Sequence, residues 1–269
     1  MSMVADMLSI GVAQVPPSAD LQANLEMALS YLQRAADQGV DLICFPETHL
    51  SGYRVGILPA DAPCSEGALR DAAQKLSERC AVLGIGAVVG TETPNAAGKP
   101  YNSALVIGDD GARLAVHHKS RLTPLDAAGY TSGHGPTSFT FRGIPMGVVI
   151  CFEGFRFPET TRALASNGAR VVFHPQFNHI LPGMEWKLPV HEALLVTRAA
   201  ENTIYFVSAN MAHPCNNCRS LVIAPDGLIQ AAAPLGEETL LVTRIEPSRA
   251  THAFLHDDAE TRKKALAES

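Results

Sequence analysis

Three short segments end in side chains that could act on one substrate. Asp41-Leu-Ile-Cys-Phe-Pro-Glu47 sets a carboxylate behind an apolar run and a proline. Val116-His-His-Lys119 ends on an amine, and Gly147-Val-Val-Ile-Cys151 ends on a thiol. A thiolate is a strong nucleophile, but an ordinary cysteine has a pKa of ~8.5 and needs a nearby base or cation near neutrality. A carboxylate can take its proton, and an ammonium can stabilise an oxyanion. Taken singly, each residue has an ordinary explanation. A glutamate after a strand caps a turn or faces water, a lysine there is solvated, and a cysteine after Val-Val-Ile is a small core hydrophobe. What they share is position at a strand end, where rigid strands deliver side chains into a cleft made by loops.

The elements that must position them follow from hydrophobic periodicity. Leu8–Val15 reads as a strand. Ser18 precedes a helical pattern through Leu21, Leu25, Ala28, Leu32 and Ala36, stopped by Gly39. Asp41–Phe45 is a second buried strand, completing a β-α-β unit. A helix over Ala68–Val82 leads to a strand at Ile85–Thr91. Strands at Tyr101–Gly108 and Arg113–Lys119 flank Asp109-Asp110-Gly111, a hairpin turn. Thr137–Phe141 and Met146–Cys151 are strands, Pro158–Asn167 is a helix with proline in its first turn, and Ala169–His174 is a strand. A helix at Val190–Asn202 and strands at Ile204–Asn210, Leu221–Ala224 and Leu240–Ile245 complete the pattern. Helices falling between strands predict α/β layers, with mixed sheets and helices outside. Nothing marks a domain boundary, so one domain over residues 1–269 is expected, with 247–269 as a polar C-terminal tail that frays or packs on a partner.

Composition narrows the function classes. The chain has 269 residues, 46% of them hydrophobic and 18% charged. That is too apolar for disorder. A net charge of -6 with no basic run argues against nucleic acid and against an anionic membrane surface as partners. No apolar run approaches the ~18 residues of a membrane span, and the first residues lack the pattern of a secretory leader. The six cysteines are therefore expected as reduced thiols in a cytoplasmic protein.

The flanking residues turn three isolated side chains into a set. GVAQV near the start, FPE with SGY (Phe45–Tyr53), YNSALVIGDDG, HHKSRLTP around Lys119, CFEGFRFPETTR from Cys151, GARVVFHPQ, RAAENTIYFVSAN (Arg198–Asn210) and SLVIAPDG (Ser220–Gly227) occur in that order. Together they resemble the carbon–nitrogen hydrolase (nitrilase) superfamily from Ile10 to about Ile245. The resemblance implies a four-layer α-β-β-α sandwich, usually a homodimer or higher homo-oligomer. It implies a Glu-Lys-Cys set, falling here on Glu47, Lys119 and Cys151, with a small-molecule amide as substrate and no metal or organic cofactor. Glu47 would be the base, Cys151 the nucleophile, and Lys119 with the Phe152 N–H the oxyanion donors. Many members carry a second glutamate after the lysine. Its counterpart here is Asp126, shorter by one methylene, roughly 1.5 Å, so that it holds Lys119 or the attacking water, or falls short of both and merely caps a turn.

Arg156 and Glu159 after the nucleophile favour the amidase branch over a true nitrilase, which would attack a C≡N carbon with the same thiol. Both are expected to make structural pairs. Glu153 is shared with the nitrilase pattern. Tyr53, Phe152, Phe177, Asn178 and Trp186 are the expected substrate-lining residues. Two further readings compete. One is a binding protein that keeps the fold without catalysis, which would not need the Glu-Lys-Cys set. The other is a thiol redox or zinc protein using Cys215 and Cys218. His213 is the one other ligand nearby, against about four for a structural zinc. The loop carrying them is expected to border the active site or an interface.

Overall fold

The computed structural model describes residues 7–96, 98–178, 183–256 and 258–267; the extreme ends of the expected 1–269 domain lie outside them. Among the described residues there are two six-stranded mixed sheets. The first contains β1 (Leu8–Gln14), β2 (Leu42–Cys44), β3 (Gly86–Thr93), β4 (Tyr101–Ile107), β5 (Arg113–His118) and the last strand, β12 (Thr239–Ile245). Their order is β12-β1-β2-β3-β4-β5. The second contains β6 (Thr137–Phe141), β7 (Ile144–Val148), β8 (Val171–Pro175), β9 (Tyr205–Ala209), β10 (Leu221–Ile223) and β11 (Ile229–Ala232), in the order β11-β10-β9-β8-β7-β6. Each sheet has a parallel centre, β1-β2-β3 in one and β7-β8-β9 in the other.

The parallel centres are buried on both faces, and their sequences say why. β2 (LIC), β8 (VVFHP) and β9 (YFVSA) are buried at every position, the continuous pattern of strands covered on two sides. In β1, Ile10 and Val12 face the second sheet and join one core with Val148, Phe173 and Val207. Ala13, Ile43 and Val89 face outward into another core. That core is completed by Leu25, Ala28 and Leu32 of α1 (Leu21–Asp37) and by Leu69 and Leu76 of α2 (Glu66–Leu83). On the other side α5 (Pro158–Ser166) and α6 (Lys187–Ala200) cover the second sheet, with Leu164, Leu195 and Ala199 in its core. The result is the α-β-β-α order of layers.

Most expected elements stand within a few residues of their places, and three differences have physical causes. The α1 cap is Asp20, whose carboxylate accepts from the Gln22 and Ala23 N–H groups, while Ser18 Oγ accepts from Asp20 N. The strand expected to run to Cys151 ends at Val148, because the chain bends to present the thiol. β11 was not foreseen: it is half-exposed, so its apolar residues show little alternation. The segment after Pro247 also folds back on its own chain in part. Ala250 and Ala253 are buried, and His252 Nε2 donates to the Ala169 carbonyl at 2.9 Å. Its final helix, α7 (Ala259–Ala267), has no buried residue.

One glycine lets the first sheet hold Glu47. A Cβ on Gly90 of β3 would meet the Pro46 carbonyl at 2.1 Å and the Thr48 nitrogen at 2.4 Å. The turn carrying Glu47 therefore lies directly on a strand without a side chain. Gly90→Ala should destabilise the fold by at least ~2 kcal/mol, the usual scale of overpacking, and displace Glu47. Thermal unfolding would show a lowered midpoint, and Gly90→Ser should be worse than Gly90→Ala.

Candidate active site

Glu47 follows β2 by three residues and is 1% exposed. Its backbone is held by the Phe45 N–H to Val88 carbonyl bond at 2.8 Å, and Thr48 adopts a positive φ of 51°. Lys119 is the residue after β5 and is fully buried. Its Nζ donates to Glu47 Oε1 at 2.7 Å and to Asp126 Oδ2 at 2.8 Å. A buried ammonium without carboxylates would be untenable, and this one has two. Asn102 Nδ2 donates to the same Glu47 oxygen at 2.7 Å. The other oxygen, Oε2, is buried with no hydrogen-bond partner, an acceptor waiting for a proton or a substrate donor.

Asp126 makes up for its short side chain by backbone placement. It opens α3 (Asp126–Gly129), and the chain there is fixed by a reciprocal pair at 3.0 Å, Thr123 N to Asp126 Oδ2 and Asp126 N to Thr123 Oγ1. The turn-capping and lysine-holding alternatives are therefore both realised. Tyr53 OH donates to the other Asp126 oxygen at 2.5 Å, so Tyr53 serves the carboxylate as well as the cavity wall. The next residue, Arg54, forms a buried ion pair, its Nε and Nη2 donating to the two Glu92 oxygens at 2.8 and 2.6 Å.

Cys151 stands three residues beyond β7, on a sharp turn with φ 47° and ψ −107° at the start of α4 (Phe152–Arg156). Such a conformation costs ~1–3 kcal/mol in a residue with a Cβ and persists only where its neighbours over-determine it. Here the Cys151 N–H donates to the Pro175 carbonyl at 2.9 Å, and its carbonyl accepts from His174 Nε2 at 2.8 Å and Gly154 N at 3.0 Å. Arg198 of α6 caps the far end of α4, donating to the Gly154 and Phe155 carbonyls at 2.9 and 3.2 Å. Asn178 Nδ2 approaches Cys151 Sγ at 3.7 Å and donates to Gln176 Oε1 at 2.7 Å. Asn210 fixes Asn178 by accepting from its backbone N–H at 3.0 Å.

The electrostatics define the resting charges. Burial pushes the Glu47 carboxyl up; the Lys119 charge opposes this and Asp126 reinforces it, leaving the group above the ordinary glutamate value. Burial alone would lower Lys119, but the Glu47 and Asp126 carboxylates hold it well above the usual lysine range. Burial also raises Asp126, yet Lys119 and the Tyr53 and Thr123 hydrogen bonds bring it below the ordinary value. Burial pushes the Cys151 thiol far up and the Glu47 charge pushes further, against smaller opposition from Lys119 and the Phe177 N–H. Burial thus disfavours charge on both Glu47 and Cys151, and the Lys119 ammonium favours it on both.

A narrow cavity of about 10 Å³ lies against Glu47, with Val15, Pro17, Tyr53, Ile57, Phe177 and Met211 among its walls. Phe177 belongs to both regions: its ring is part of the wall, and its backbone N–H donates toward Cys151. Of the expected substrate-lining residues, Tyr53 and Phe177 line this cavity, and Asn178 lies instead beside Cys151 Sγ. Phe152 packs edge-on against Phe157 at 5.3 Å. Trp186 is 52% exposed at the head of α6, and the hydrogen bonds and ring contacts around Cys151 do not include it. Arg156 and Glu159 do not pair with each other; both are exposed, and Glu159 lies 3.9 Å from Arg121.

The Cys-x-x-Cys pair divides between two environments. Cys215 is exposed, whereas Cys218 is buried and accepts from Gln176 Nε2 at 3.5 Å. Burial pushes the Cys218 thiol up to about 12, the reverse of an activated redox thiol. Among the described residues no three His, Cys, Asp or Glu side chains form a group that could hold a metal ion, and no helix is long and apolar enough to cross a membrane.

Two stacked mixed sheets with outer helices, and a buried carboxylate, ammonium and thiol where the sheets meet, define the nitrilase-like α-β-β-α sandwich. The chain belongs to the carbon-nitrogen hydrolase family, whose model matches residues 9–253. A curated (R)-stereoselective amidase of Pseudomonas sp. is 32% identical over 195 residues, 71% of this chain and 66% of that protein. The omega-amidase NIT2 of Mus musculus is 28% identical over 252 residues, 88% of each chain. Among solved structures, an amidase from Nesterenkonia sp. AN1 superposes with a TM-score of 0.79 at 23% identity, covering 97% of this chain and 96% of that one. That structure is described as showing covalent addition of the acetamide moiety of fluoroacetamide at the active site cysteine.

Three buried histidines give the fold a signed pH dependence. Burial lowers His49, His174 and His191 from 6.5 to about 4. Unfolding releases them to bind protons between those values, so the stability they contribute is complete above 6.5 and is lost as pH falls toward 4. Each adds up to ~1.4 kcal/mol per pH unit; Glu47, with its raised pKa, works in the opposite sense. Urea denaturation from pH 6.5 to 4.5 should show stability falling with a slope of two to three protons. A flat profile would contradict neutral buried rings.

Proposed function

We propose that this protein is an amidase, a single catalytic domain that hydrolyses small, uncharged carboxamides through a Cys151 thioester. The observation that carries the reading is the buried Glu47–Lys119–Asp126 group beside the strained Cys151 turn. Asp126 belongs to the proposed machinery as the second carboxylate on Lys119.

In the proposed cycle Glu47 takes the Cys151 proton as sulfur attacks the amide carbon, forming the C–S bond. The carbonyl electron pair moves to oxygen, facing Lys119 Nζ and the Phe152 N–H; one such donor is worth ~3 kcal/mol in the transition state. Glu47 passes its proton to the amide nitrogen, the C–N bond breaks and ammonia leaves. A water then gives its proton to Glu47 and attacks the thioester. The C–S bond breaks, the acid departs and the proton returns to sulfur. Splitting the reaction in two suits an amide, whose amine is a poor leaving group.

The cavity supports an apolar acyl group. Its walls include Val15, Pro17, Ile57, Phe177 and Met211, and the titratable side chains among them are Glu47, His49 and Tyr53. His49 is held neutral by burial, with a pKa of about 4. One ammonium against two carboxylates leaves the site net negative, which repels substrates carrying a free carboxylate. Small aliphatic amides are therefore favoured over ω-amides of acids, despite the similarity to an omega-amidase.

Ammonia release should be measured across small aliphatic amides, ω-amido acids, carbamoyl amino acids and nitriles. Turnover should concentrate in the first group and vanish in Cys151→Ala. Activity of Cys151→Ala at the wild-type rate would sink the scheme, and turnover confined to ω-amido acids would overturn the substrate class. Because Glu47 must be ionised to act as base, kcat/KM should fall as pH drops through a value above the ordinary 4.5. A pH-rate profile flat down to 4.5 would exclude Glu47 as the base.

A further inference from the structure

The two halves of the site sit on different sheets. Lys119 follows β5 of the first, and Cys151 follows β7 of the second. Something must hold their separation, since misplacement by about 1 Å can cost a factor of about a hundred in rate. The buried Glu153 carboxylate spans that gap. Its Oε1 accepts from Ser120 N at 2.7 Å and Ser120 Oγ at 2.6 Å. Its Oε2 accepts from Ile150 N at 2.6 Å and from His117 Nε2 at 2.8 Å. Ser120 is the residue after Lys119, and Ile150 the residue before Cys151.

We propose that Glu153 is a positioning residue that clamps the Cys151 turn to the Lys119 strand end. The proposal rests on the amidase reading for its kinetic consequence but not for its geometry. The carboxylate is the one group of this size that can accept four donors with two oxygens. Each oxygen faces one backbone N–H, from Ser120 or Ile150, and a backbone N–H cannot become an acceptor. A glutamine at this position would point its NH2 at one of those N–H groups in either orientation. His117 completes the clamp: its other ring nitrogen meets Thr137 Oγ1 of β6 at 3.1 Å, tying β5 to the second sheet.

The test compares Glu153→Gln with the wild type by thermal unfolding, steady-state kinetics on a small amide, and labelling of Cys151 by iodoacetamide followed by peptide mass spectrometry. The folded variant should lose at least about tenfold in kcat, with KM within about twofold, and Cys151 should label correspondingly slower. A folded Glu153→Gln with wild-type kcat and wild-type labelling would overturn the proposal. Should Glu153→Gln fail to fold, the pair His117→Leu and His117→Gln decides. The leucine should lower kcat and labelling and the glutamine, which restores an N–H donor, should recover them; equal values overturn the clamp. If the wild type hydrolyses no amide, the labelling rates alone decide the clamp, and it is the amidase reading that fails.

Discussion

The structure is organised around one buried cation. Lys119 is fully buried, and taking an ammonium out of water is affordable only when opposite charges and hydrogen bonds replace the solvent. Glu47 and Asp126 do this at 2.7 and 2.8 Å. The requirement propagates outward. Glu47 must come off β2 at the right height, which needs a bare backbone at Gly90. Asp126 must reach inward from a short helix, which needs the Thr123 cap and the Tyr53 hydroxyl. Tyr53 in turn packs between the Tyr130 and Phe177 rings.

This arrangement also sets the chemical character of the thiol. Burial pushes the Cys151 thiol far up and the Glu47 charge pushes it further, against the opposing Lys119, while one Glu47 oxygen has no hydrogen-bond partner. In the proposed cycle a raised carboxyl pKa suits Glu47, because a base closer to neutrality can also act as the acid that protonates a departing nitrogen.

The second sheet contributes rigidity of a different kind. Cys151 is held in a rare backbone conformation by bonds to Pro175, His174 and Gly154, and α4 behind it is capped by Arg198 from α6. His174 meets the Cys151 carbonyl with a proton on Nε2, and burial keeps the ring neutral. Its Nδ1 then accepts from Ser208 Oγ at 2.9 Å. Strain at the nucleophile and the polar network beneath it are two sides of one design: the first presents the sulfur, and the second prevents relaxation.

The amino-acid sequence by itself determined the strands, the helices and the three reactive side chains, and the four layers only through the family resemblance. Apolar runs bounded by Gly, Pro and Asp-Gly turns specify strands locally, and the motifs around Glu47, Lys119 and Cys151 are contiguous in the chain. The sequence also named Tyr53, Phe177 and Asn178 as neighbours of the site, because each lies just after a strand end. It did not reveal the roles of Asn102, Glu153, His117, His174 or Arg198. Those residues look like ordinary strand and helix positions, and their partners lie tens of residues away, up to 55 for Asn102 and Glu47. Whether Asp126 reaches Lys119 was undecidable from side-chain length, since the backbone of α3 supplies the missing distance. Hydrophobic pattern is a local property and survives in one dimension. Hydrogen-bond partnership between buried polar groups exists only once two sheets have been stacked face to face.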